Sequence, residues 1–169
     1  MKQQVWMWTL FLTLVGCGDE AGDTTESPTP APGDPDYVRD PALNVSLTSS
    51  HDGTSSHNAG SNCLQCHQPY GPGPGLFTAA GTIYKPDGTP HANATLELRS
   101  VVDPSVVLTL LEVDGNGNFF TTEDVPVPEE SVYPVVISAN GVDTNQMPFP
   151  TLSASCNVCH YGGFPVVVQ

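Results

Sequence analysis

The sequence predicts a mostly β chain, a small β-sandwich over residues 79–141 with an irregular segment on each side. Three observations lead there. Proline (17) and glycine (16) are frequent and charged residues make up only 13 %, which suits short strands and turns rather than helix bundles. Between Ala79 and Gly141, apolar and polar residues alternate with the period of two expected of strands. The flanking stretches are polar and rich in Gly and Pro, with neither a strand nor a helix period. A length of 169 residues accommodates one domain and not comfortably two.

The first 16 residues read as an export signal. Lys2 supplies the positive start, and the run from Val5 to Val15 is apolar but too short to span a bilayer. It ends in Leu14-Val15-Gly16-Cys17, which resembles the bacterial lipobox, cleaved before a cysteine that then becomes diacylated. On that reading Cys17 is the lipidation site and the chain is held at the cell envelope, on the periplasmic face or the outer surface. The other reading is an ordinary signal cut nearby, with Cys17 a stray thiol. Residues 17–43 are acidic and rich in Pro and Thr, with little to bury, and are expected to form a disordered tether.

Residues 44–78 form the first flanking segment, which contains Cys63-Leu64-Gln65-Cys66-His67. The second flank, 142–169, contains Cys156-Asn157-Val158-Cys159-His160. Both read C-x-x-C-H, the pattern for covalent attachment of c-type haem. The spacing has a chemical reason. Two thiols three positions apart can each form a thioether with one haem vinyl group, and the adjacent imidazole can ligate the iron as proximal ligand. Cys63, Cys66, Cys156 and Cys159 are therefore expected to hold two haem c groups, with His67 and His160 as proximal ligands. The alternatives are a four-cysteine zinc site or local disulfides, neither of which explains a His after both pairs.

The remaining His residues are candidate distal ligands. His57 is preferred, being nearer to its motif, and His51 lies in the same polar stretch. Its lack of any packing pattern leaves the segment to be organised by something else, with haem the expected template. Met147 is either a thioether ligand or an apolar contact beside the porphyrin, the contact being favoured. Met147-Pro148-Phe149-Pro150 leads towards the second motif.

Within the β region, Gly81–Lys85 is a strand followed by the turn Pro86-Asp87-Gly88, and Ala94–Arg99 is a second with Ala94, Leu96 and Leu98 on one face. Val106–Val113 is expected to turn through Asp114-Gly115-Asn116-Gly117 into Asn118–Thr121 as a hairpin. Val132–Ala139 is a further strand in which Pro134 indicates an edge or a bulge. Such half-apolar strands bury one face each by packing sheet on sheet.

Gly81-Thr82-Ile83-Tyr84, Asp87-Gly88-Thr89-Pro90, Ala92–Leu98, Asp114–Phe119 and Tyr133–Gly141 together resemble the carboxypeptidase regulatory-like family. The resemblance implies a prealbumin-like sandwich that serves as an accessory module without catalytic residues. His91 stands where the family usually has a small or apolar residue. It is either a harmless loop substitution or a distal ligand for the second haem.

With 18 acidic residues against 4 basic ones, the chain has little to neutralise phosphates with, and nucleic acid is not an expected partner. The acidic surface either steers a basic redox partner or is a solvated exterior. The reading that follows is an exported dihaem cytochrome c, not an enzyme, exchanging electrons with other redox proteins or cytochromes, with self-association into haem chains a further option. A non-redox surface lipoprotein stapled by zinc or disulfides is the alternative. A peroxidase would need an open iron and nearby acid–base groups, which neither motif offers. Each flank is too poor in apolar residues to fold alone. The two are expected to pack against each other at one end of the sandwich, the competing arrangement being one haem at each pole.

Overall fold

The computed structural model describes residues 30–169. The expected export signal, Cys17 and the first part of the tether lie outside the described residues. Seven strands form two sheets: β1 (Ala79–Tyr84), β2 (Thr95–Ser100), β3 (Val107–Glu112), β4 (Asn118–Thr121), β5 (Val132–Ile137), β6 (Thr144–Gln146) and β7 (Val166–Val167). One sheet has the order β4-β1-β7 and the other β3-β2-β5-β6. The only α-helical piece among the described residues is one turn, α1 (Cys156–Cys159). No helix there is long and apolar enough to cross a membrane.

The alternation along β2 does what its pattern requires. Ala94, Leu96 and Leu98 are buried between the sheets with Ile83, Val113, Phe119, Val132 and Val136, while Thr95, Glu97 and Arg99 reach the other face. The edge that Pro134 indicated is not seen, since β5 runs between β2 and β6. Pro134 pairs with Leu98 of β2 and lies one residue beyond the end of β6, whose last residue Gln146 pairs with Val135.

The expected β3–β4 hairpin does not form. The turn itself is tight, with Asp114 N–H donating to Asn118 O (2.8 Å) and Asp114 Oδ1 accepting from the N–H groups of Asn116 and Asn118. Beyond it the strands part: β3 pairs with β2 and β4 with β1, so the loop crosses between sheets. Apolar alternation specifies which side chains go inside, and both routes satisfy it. Two short strands were also invisible to it. β6 and β7 lie in the flank assigned to the second motif, and β7 runs parallel to β1.

The first flank is irregular, as expected, but it is moored to the sandwich. Thr48 bridges Thr121, Ser49 exchanges bonds with Phe120, and Ser56 accepts from the amide groups of Asn116 and Asn118. The segment thus takes the free edge of β4 as its template within the polypeptide itself. The last residues of the expected tether take part too. Gly33 N–H donates to Tyr70 O, and Arg39 reaches into the loop after the first motif.

Candidate functional site

Cys63–Gln65 forms a 3-10 turn, closed by Cys66 and His67 N–H groups that both donate to Cys63 O. The loop that follows doubles back to fix the His67 ring. Its Nδ1 lies 2.6 Å from Pro74 O, a carbonyl that can only accept, so Nδ1 carries the proton and Nε2 keeps a free lone pair. Phe77 stacks on the ring at 4.0 Å and 3°, and Phe120 backs Phe77 at 5.0 Å. Gly73 lies so close that a Cβ there would stand 2.8 Å from His67 Nδ1. Burial, opposed by the Pro74 bond and reinforced by His57 and Arg39, holds the imidazole below the ordinary histidine range and so neutral.

Arg39 fixes this loop. Its guanidinium donates to the carbonyls of Leu43, Gln68, Gly71, Gly73 and Gly75, and its Nε to Asn44 Oδ1. Across a cavity of about 500 Å³ from this scaffold stands His57, whose ring centroid is 6.1 Å from that of His67. Cys63, Cys66, Leu47 and Phe77 line the same cavity, which falls within the cofactor-sized range of roughly 300–1,000 Å³.

The second motif repeats the logic with different parts. His160 N–H donates to Cys156 O, and His160 Nδ1 is 3.0 Å from Phe164 O, again leaving Nε2 free. α1 lies directly on β1. A Cβ at Gly81 would meet Phe119 at 2.6 Å and Cys156 Cβ at 2.9 Å, so only glycine lets the turn settle there. Cys156, Cys159, His160 and Met147 line a smaller cavity of about 170 Å³ that reaches between the two sheets. Phe149, Leu152, Val158, Tyr161 and Phe164, from the surrounding segment, are all exposed.

The two motifs meet. Asn157, 4 % exposed, accepts from Thr82 N–H and donates to Thr82 Oγ1 and Ser61 O. Ser155 Oγ donates to Asn62 Oδ1 at 3.1 Å. The residues just before Cys63 are thereby joined to those around Cys156, as the packing of one flank on the other requires. Burial is also the main reason that the Cys156 thiol is pushed up to about 12, with Cys159 and Cys63 adding to it. Burial raises Cys63 as well. Such thiols are protonated at neutral pH and poorly suited to disulfide exchange.

His51 and His91 line neither cavity. His51 Nε2 is 3.1 Å from Ala94 O, and His91 is buried beside the β1 end with Nδ1 3.1 Å from Ala92 O. The structure therefore brings neither ring to a motif, since both lie on the sandwich outside the two cavities. Met147 stands in the second cavity. Among the described residues no three His, Cys, Asp or Glu converge as ligands for a metal ion, and all four cysteines are free. Neither observation favours a zinc cluster or a disulfide staple.

Sequence reading missed Arg39, Phe77, Gly73 and Asn157. Arg39 and Asn157 carried a faint signal, one as a rare base in an acidic stretch and the other as a polar residue inside a motif. No family model, curated protein or solved structure matches the chain.

Proposed function

We propose that the chain is an exported, membrane-anchored dihaem cytochrome c that passes electrons between redox partners. The observation that carries this is the His57–His67 pair. Their ring centroids are 6.1 Å apart across the cavity that Cys63 and Cys66 also line, so both imidazoles could hold one iron beside the two thiols.

Haem c supplies a one-electron iron couple when bound. Cys63 and Cys66 would hold one haem through thioethers, with His67 and His57 on its iron. Cys156, Cys159 and His160 would hold the other. Pro74 O and Phe164 O do the orienting: each accepts the Nδ1 proton, which fixes the tautomer and makes Nε2 the more basic donor. If His57 and His67 both hold the iron, that site would keep no position for a substrate, which supports electron transfer over catalysis. The bridge through Asn157 and Ser155 supports a short path between the haems. The prealbumin-like module would serve as the frame. Its resemblance to the carboxypeptidase regulatory-like family and the two-sheet fold support that role. Lipidation of Cys17 rests on the lipobox resemblance.

Intact mass decides the matter. Expressed with working cytochrome c maturation, the processed chain should exceed its polypeptide mass by two haems. The Cys63→Ala, Cys66→Ala double variant should lose one of them. A colourless protein of polypeptide mass would overturn the proposal.

A further inference from the structure

We propose that the two irons are ligated differently, and that Met147 supplies the sixth ligand at the second site through its Sδ. The inference rests on the dihaem reading and extends it to a ligand that the sequence offered but ranked below an apolar contact.

Four observations converge. Met147 lines the cavity that His160, Cys156 and Cys159 also line. The other polar side chains on that wall are amides and hydroxyls, such as Asn145 and Thr151, which are poor haem-iron ligands beside a thioether. His51 and His91 lie outside both cavities, His51 beside Ala94 O and His91 beside Ala92 O. Finally, Met147 is held in place. Its N–H donates to Pro134 O at 3.0 Å, just after β6 has paired with β5, and Pro148 follows it.

The two residues also come to the cavity from different sheets. His160 follows α1, which rests on β1 in one sheet, whereas Met147 extends β6 at the edge of the other. The cavity reaches between those sheets, with Ile83 and Phe119 from one and Leu96 and Val136 from the other at its floor.

His/Met ligation raises a haem potential relative to a bis-His site. The ligand difference therefore orders the pair. With both groups bound, the residues of the first site, His67 and His57, would favour giving up one electron and those of the second, His160 and Met147, would favour taking it, with an external one-electron reductant serving the first site and an external oxidant the second.

The test uses the full haem-loaded chain. Its oxidised far-red spectrum should show a sulfur-to-iron charge-transfer band, and a redox titration should resolve two separated waves. Met147→Ala should abolish the band and move only the higher wave to lower potential. Met147→His should also abolish it while keeping both haems low-spin, which separates loss of the ligand from loss of the fold. Two attached haems with no band, or a band that survives in Met147→Ala, would overturn the assignment. A mass with no haem would instead remove the dihaem reading on which it stands.

Discussion

His67 is 7 % exposed, stacked on Phe77, pressed by Gly73 and hydrogen-bonded to Pro74, in a loop that Arg39 ties down through five carbonyls. His160 is half-buried, and its ring bonds to the carbonyl of Phe164, a residue whose side chain is 79 % exposed. The same five-residue motif thus sits in a deep, braced setting at one end of the chain and in a shallow one at the other. The motif fixes only the spacing of two thiols and the imidazole that follows them. What surrounds it decides exposure, which side chains share the cavity and how firmly the ring is held. The first site takes its braces from residues 39–77. The second rests on the sandwich through Gly81 and faces β6 across a small cavity.

Asn157 is where the two settings depend on each other, so breaking it should have the largest effect. Asn157→Leu strands the fully buried Thr82 N–H and removes the partner of the part-buried Ser61 O. At about 1–3 kcal/mol for the stranded Thr82 group and about 1 kcal/mol for the lost Ser61 hydrogen bond, roughly 2–4 kcal/mol of stability should be lost. Thermal unfolding checks this, and electron paramagnetic resonance should show weaker coupling between the haems. A variant within about 0.5 kcal/mol of the parent would mean that the motifs are held together without the bridge.

The brace at the first site is sharpened by Gly73→Ala. The added methyl meets the His67 ring at 2.8–2.9 Å, and that ring is already backed by Phe77. Overpacking of this kind costs about 1–3 kcal/mol. Its spectral signature should be confined to one haem, which loses low-spin character while the far-red band of the other persists. If both haems change, the two settings are not independent in the way their separate braces imply.

Much of this architecture was legible in the sequence because it depends on local rules. β2, β4 and β5 follow alternation and turn residues, and C-x-x-C-H marks the two histidines that the structure seats in the cavities. The parts that were not legible depend on contacts between distant residues. No local pattern distinguishes a β3–β4 hairpin from a sheet-crossing loop, since Val113 and Phe119 are buried in either case. Three-residue β6 and two-residue β7 are too short to show a period. Arg39 acts on carbonyls some thirty residues away, for which its neighbours give no hint. Distal ligands are the extreme case. Proximity along the chain favoured His57, which does face His67, but it could not show that β6 carries Met147 back to the cavity of the second motif while His51 stays outside both cavities.

That difference yields the smallest expected effect. His51 is exposed, its ring makes one bond, to Ala94 O at 3.1 Å, and its backbone N–H bonds to Glu112 Oε2 independently of the side chain. His51→Ala should therefore cost only about 0.5–1.5 kcal/mol, the net worth of a single hydrogen bond. Both haems should stay low-spin and both redox waves should stay in place. The variant is informative because the expected result is a null that the sequence alone did not favour. A high-spin signature at either haem would mean that the polar loop before His57 swings inward when haem is bound, and His51 would then displace His57 or Met147 as the opposite ligand.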